Sequence, residues 1–224
     1  MREPFDSSCY YHVFNRGVDR REIFRQEDDF MRFYQSLYLF NDANYRHIKG
    51  KPIEKEVLLA SAAVTSGDRE PFVSIVAFCL MRNHFHLLLK QRTPGGISKF
   101  LHKIGMGYAR YLNTQVGRTG RLFESTYKAV PADAVDHLRV LPRYIHLNAL
   151  DSGPIDWRHG LVEPWEEVSA FLNKYPWSSH EYYRNRVQDL PVVDETEVDA
   201  LFTGVDMYLD YLRSGPSLSD GLRY

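Results

Sequence analysis

Residues 72–89 read FVSIVAFCLMRNHFHLLL, and the fold is decided there. Phe72 to Leu80 is an apolar run of the length and character of a strand buried on both faces. Met81-Arg82-Asn83 interrupts it, and His84-Phe85-His86-Leu87-Leu88-Leu89 reads as the returning strand of a hairpin. Upstream, Tyr10-Tyr11-His12-Val13-Phe14-Asn15 is rich in aromatic and β-branched residues and ends at Arg16-Gly17, which predicts a further strand and turn. Between the two, Phe30, Phe33, Tyr34, Leu37 and Phe40 recur at helical spacing behind the acids Asp28 and Asp29. Residues 41–71 are polar and aperiodic, a long connection with a short helix expected near 54–63.

Downstream of the hairpin, Pro94-Gly95-Gly96 precedes an amphipathic pattern from Ile97 to Gln115, with Phe100, Ile104, Tyr108, Tyr111 and Leu112 on one side. Gly117-Arg118-Thr119-Gly120 ends it. A fourth strand is expected over 121–130, then a helix capped by Pro131-Ala132-Asp133 and running to about Asn148. Pro142 predicts a kink that places Tyr144 in the first turn of a fresh segment. The order strand, helix, two strands, helix, strand, helix predicts an α+β, ferredoxin-like split βαβ sandwich with a central antiparallel sheet. Residues 1–186 are expected to form that domain, and the acidic residues 187–224 a helical C-terminal extension with a helix over 195–212.

The 224 residues suit one domain with an appendage, and 44% hydrophobic with 25% charged residues is ordinary for a globular protein. No apolar stretch approaches a membrane span, and the first four residues do not open a signal peptide. Two cysteines, Cys9 and Cys79, provide no disulfide framework, so a cytoplasmic protein is expected. The net charge of -1 hides an uneven distribution. Residues 81–130 carry nine basic side chains against Glu124 alone, whereas residues 131–224 carry eight basic and 16 acidic ones. A field of that kind attracts a polyanion. The acidic tail is expected to lie over the basic segment and restrain binding.

His84 and His86 stand two apart on a predicted strand, so their imidazoles share a face while Phe85 enters the opposite layer. Two such imidazoles can ligate a divalent metal with a third ligand from elsewhere; alone, a His-x-His is more often a strand with a wet face. In Tyr144-Ile145-His146-Leu147-Asn148, Tyr144 and Asn148 share a helix face. A phenol can attack a phosphodiester and become covalently phosphorylated, with a cation polarising the phosphate. Tyr111 and Gln115 repeat the spacing and are a rival pair, although Tyr111 falls on an apolar stripe.

These phrases together resemble the HUH single-tyrosine transposases, and in particular the REP-associated tyrosine transposases. The likeness rests on residues 11–17, 81–88, 117–123, 144–148 and Trp177-Ser178-Ser179, in order over about residues 10–183. It implies the HUH endonuclease fold and cleavage of single-stranded or hairpin DNA through a 5′-phosphotyrosine. Tyr144 is then the nucleophile, His84, His86 and Asn148 hold Mg²⁺ or Mn²⁺, and the protein, a monomer or homodimer, is nucleoid-associated. Arg16, Arg20, Asn83, Arg118, Arg121 and Lys128 are the expected DNA contacts. In one departure, Asp151 falls in a run where the family carries an arginine. The rival functions are a hairpin-binding protein with little or no cleavage and a metal-dependent hydrolase of other chemistry.

Overall fold

The computed structural model describes residues 5–45, 69–132, 135–153, 157 and 164–215. Four strands, β1 (Tyr10–Arg16), β2 (Val73–Met81), β3 (His84–Gln91) and β4 (Lys128–Ala132), form one antiparallel sheet in the order β2-β3-β1-β4. That is the order of a ferredoxin-like sandwich. The β2–β3 hairpin forms as expected, with Met81 opposite His84, and β3 pairs with β1 so that Phe14 faces His86 and Arg16 faces His84.

Helices α1 (Glu27–Leu39) and α2 (Gly96–Gln115) cover one face of the sheet. Phe33 of α1 meets Phe85 of β3 and Tyr108 of α2, each with ring centroids 5.0 Å apart. The acids predicted at the start of α1 cap it: the side chain of Asp29 accepts from the backbone N–H groups of Arg25 and Gln26. Gly96 opens α2 because a Cβ there would collide with the carbonyl oxygen of Phe72.

The opposite face is covered by α3 (Val135–Leu147), the 3-10 turn Asn148–Ser152 and the C-terminal helices α4 (Trp165–Lys174), α5 (His180–Asn185), α6 (Glu195–Leu201) and α7 (Val205–Ser214). Pro176–Ser179 runs beside the outer edge of β2, with Leu80 N–H donating to Trp177 O and Ser179 N–H to Phe78 O. That segment shields an edge that would otherwise be open to pairing.

Four expectations change. The fourth strand begins only at Lys128, because residues 123–126 are held to β1 by single contacts instead of a ladder. Asn15 donates to the carbonyls of Ser125 and Thr126, and Glu124 N–H donates to Arg16 O. Pro131 and Ala132 belong to that strand and not to a helix cap; Pro131 is tolerated because β4 is an edge strand. Pro142 lies inside an unbroken α3, so Tyr144 is in the last turn of that helix and not the first turn of a fresh one. The helix expected over 195–212 is two helices: Phe202 leaves the first to enter the core, and Gly204 (φ 150°) turns the chain into the second. The short helix expected near 54–63 lies outside the described residues.

The acidic C-terminal segment packs into the same core, with Val198, Leu201, Phe202, Tyr208 and Leu212 buried there. Its acids meet Lys90 and Arg92: Glu197 lies 2.9 Å from the Lys90 ammonium and Asp194 3.0 Å from the Arg92 guanidinium. Among the described residues, the expected placement over the basic segment is therefore confined to the far end of β3. Arg118, Arg121 and Lys128 instead meet the Asn113 side chain, the Glu124 carbonyl and the Phe14 ring.

Candidate functional site

Alternation along β3 puts His84 and His86 on the face covered by α3 and Phe85 on the other, as the pattern predicts. Both histidines line a cavity of about 160 Å³ with Phe14, Asn15, Arg16, Asn83, Glu124, Ser125 and Lys128. Of the expected DNA contacts, Arg16, Asn83 and Lys128 are thus at the site. Arg121 reaches its wall by donating to the Glu124 carbonyl, and the Arg118 guanidinium braces Arg121 by donating to the Arg121 carbonyl. Arg20 stands outside in an exposed turn, where Asp19 and Arg20 both adopt left-handed backbone (φ 56° and 58°). Its carbonyl accepts from the Asn83 amide at 3.3 Å.

Arg16 is not an idle cation. Its guanidinium forks onto the Glu124 carboxylate at 3.1 and 3.2 Å, with both side chains about a third exposed (39% and 33%). A surface pair of this kind is weak, so a phosphate can displace the carboxylate at small cost.

Asn83 does more than approach the cavity. Its Oδ1 lies 2.6 Å from His84 Nδ1, and a carboxamide oxygen only accepts, so Nδ1 carries a proton, and in the neutral ring Nε2 holds the lone pair. His86 is buried (2% exposed), and its Nδ1 lies 2.7 Å from Nε2 of a third histidine, His12, which is fully enclosed. Burial pushes the His12 pKa down to about 3, so the ring is neutral near pH 7. His12 was not among the residues singled out from sequence. It lies two positions before Phe14, the register partner of His86, and only that pairing brings it into the site.

Tyr144 is brought to the histidines. Its ring packs edge-on against His86 and His12, with centroids 5.6 and 5.7 Å away, and its hydroxyl is buried. The rival Tyr111 is on the other side of the sheet. Its hydroxyl donates to Asp29 at 3.0 Å, and burial with that carboxylate raises its pKa to about 12. Tyr111 contacts Tyr108 and Arg32, and Gln115 is exposed.

Asn148 is wholly buried at the start of the turn after α3. Its Nδ2 donates to Tyr144 O at 2.7 Å, while Oδ1 has no hydrogen-bond partner among the described residues. An enclosed carbonyl oxygen in that condition is costly unless a donor or cation meets it. Two imidazoles with Nδ1 engaged, and one orphaned amide oxygen, are a donor set that suits a borderline or hard divalent cation. No cluster of three or more His, Cys, Asp and Glu side chains is arranged for a metal among the described residues, so an amide would have to contribute. Asp151, in the departing run, accepts from the Trp157 indole at 2.7 Å, and Trp157 in turn lies against Tyr144.

Among the described residues no helix is long and apolar enough to cross a membrane. No curated protein matches the sequence. Among solved structures, the fold is similar to a REP-associated tyrosine transposase bound to a REP hairpin, with a TM-score of 0.50 and 11% identity. The match covers 88% of this chain and 91% of that one. At that identity the likeness speaks for the fold. The sequence pattern of the family described as "Transposase IS200 like" matches residues 6–148, a span that opens before β1 and closes on Asn148. The chain therefore belongs to the IS200-like transposase family.

Proposed function

We propose that the protein is a metal-dependent endonuclease and strand transferase acting on single-stranded DNA at hairpin-forming repeats, with Tyr144 as nucleophile. The observation that carries the reading is the packing of the Tyr144 ring against His86, 58 positions away in sequence. His84 Nε2, His86 and the Asn148 amide oxygen would hold Mg²⁺ or Mn²⁺, which when bound supplies charge to polarise the scissile phosphate.

The chain's own residues do the rest. Tyr144 Oη attacks phosphorus and loses its proton. The tyrosyl O–P bond forms as the P–O3′ bond breaks, and the departing oxygen takes a proton to become a free 3′-hydroxyl. The 5′-phosphate stays on the protein, so the bond count is conserved and the step reverses without an external energy source. Arg16 and Lys128, at the cavity rim, are placed to neutralise phosphates flanking the scissile bond, and Arg118 and Arg121 to extend the track. The hairpin partner is inferred from the family resemblance and from this rim. A DNA-acting enzyme of this kind works in the cytoplasm, at the nucleoid.

A second reading, binding of hairpins with little or no cleavage, is favoured by one observation: the Tyr144 side chain is only 4% exposed, beneath Trp157. Incubation with a hairpin oligonucleotide and Mg²⁺ or Mn²⁺, followed by denaturation, separates the two. The proposed enzyme yields a covalent band that disappears in Tyr144→Phe and persists in Tyr111→Phe. Tight binding with no band selects the second reading, and absence of DNA binding overturns both.

A further inference from the structure

We propose that His12 is a positioning residue for the metal site: its Nε2 accepts the Nδ1–H of His86 and so keeps the His86 lone pair on Nε2, toward the cation. The inference rests on the metal-dependent reading above and adds a residue and a tautomer to it.

The geometry leaves few alternatives. The two nitrogens are 2.7 Å apart, so one of them donates. The rings stack at 5.0 Å with an interplanar angle of 21°, and Phe14 stacks on His86 at 5.6 Å and 25°, so His86 has little freedom to rotate away. Tyr144 stands edge-on to both imidazoles and closes the layer. A neutral imidazole carries one proton. If His86 donates from Nδ1, its Nε2 is an electron-pair donor; if His12 donates, the His86 proton sits on Nε2 and no metal can bind there. The proton's place between two rings therefore decides whether the site can form.

The adjoining ligand is built the same way. His84 Nδ1 is held by Asn83 Oδ1 at 2.6 Å, which fixes the Nδ1–H tautomer. Each imidazole of the pair thus has its own partner at Nδ1: a carboxamide at the open end of the strand, where His84 is partly exposed, and a second imidazole at the closed end, where His86 is buried. Outer partners of this kind orient metal-binding histidines and raise their basicity.

Nitrogen NMR of histidine-labelled full-length protein without metal reads the tautomer directly. The expected spectrum shows His86 protonated at Nδ1; protonation at Nε2 overturns the proposal, whatever the variants do. Titration with Mn²⁺ is the second measurement. His12→Ala should raise the Kd about 10–100-fold. His12→Gln, whose Oε1 can accept from Nδ1, should restore most of that loss, which a purely packing role would not predict. Unchanged Mn²⁺ affinity in His12→Ala refutes the inference and leaves the enzyme reading standing. A wild-type protein that binds no Mn²⁺ refutes both. If His12→Ala does not fold, His12→Gln and the wild-type spectrum decide.

Discussion

Replacing Tyr208 by Phe removes one oxygen from the interior and should destabilise the protein by about 2–4 kcal/mol. Tyr208 is a residue of α7, and its hydroxyl lies 2.9 Å from His146 Nδ1 and 2.6 Å from His180 Nδ1. The chain continues at both ends: His180 Nε2 meets Asn173 Oδ1 at 3.0 Å and His146 Nε2 meets Ser179 Oγ at 2.7 Å. Because the Asn173 oxygen only accepts, every donor is set. His180 Nε2–H donates to Asn173, Tyr208 O–H to His180 Nδ1, His146 Nδ1–H to Tyr208, and Ser179 O–H to His146 Nε2. Both histidines are neutral, their pKa values depressed by burial, to about 4 for His180 and well below the ordinary value for His146. In Tyr208→Phe a buried N–H loses its acceptor and a buried lone pair loses its donor, each costing about 1–2 kcal/mol, the lower part of the range because both groups are neutral. For a chain of this size that is a fall in Tm of about 4–16 °C. Urea denaturation and calorimetry measure it. Tyr34→Phe is the internal control, since the Tyr34 hydroxyl makes only 3.4 Å contacts with Leu190. A loss in Tyr208→Phe no larger than in Tyr34→Phe would show that the chain adds nothing to stability.

The same histidines predict how stability depends on pH. The folded pKa of His180, at about 4, lies below its unfolded value, so below about pH 6.5 the unfolded chain binds a proton that the native chain refuses. Its contribution is complete above pH 6.5 and is lost toward pH 4 at about 1.4 kcal/mol per pH unit, with His146 and His12 displaced in the same direction. A urea midpoint flat between pH 7.5 and 4.5 contradicts this. Gly17→Ala should cost about 1–3 kcal/mol, because a Cβ there meets the Arg21 carbonyl oxygen and the Ile23 side chain; an unchanged Tm refutes it. Truncation after Arg186 removes Phe202, Tyr208 and Leu212 from the core, so the shortened chain should lose its cooperative thermal transition. A folded, soluble fragment that binds single strands more tightly would instead restore the idea of a covering tail.

How much was legible in the sequence follows the range of the interactions. The β2–β3 hairpin, β1, α1 and α2 were readable because alternation and helical spacing are local, and His84 and His86 came with them. Tyr144 was readable as a motif, but its place in the last turn of a continuous α3 was not, since Pro142 argues locally for a break that packing of Leu141 and Ile145 overrides. The segment 121–127 looks like a strand by composition. What holds it is the Asn15 amide and the Arg16 and Arg121 guanidiniums, contacts that no periodicity encodes. His12 illustrates the same limit within the site. His12 falls in a family-like phrase, but nothing in that phrase gives it a role, and the register of β1 against β3 alone sets it beside His86.

Net charge is the last property that changes meaning in three dimensions. The sum of -1 would argue against a nucleic-acid partner if charges mixed evenly. They do not mix: Glu197 and Asp194 engage Lys90 and Arg92 at the end of β3 remote from the histidines. Arg16 and Lys128, by contrast, border the cavity at the end where His84 and His86 lie, beside Glu124, the single acid of residues 81–130. Screening over about 8–10 Å at physiological salt keeps the two ends nearly independent. A DNA strand approaching His84 therefore meets the local positive rim and not the average. Glu197 and Asp194 act where they are bonded, in fastening the start of α6 to the end of β3, away from the helix that presents Tyr144.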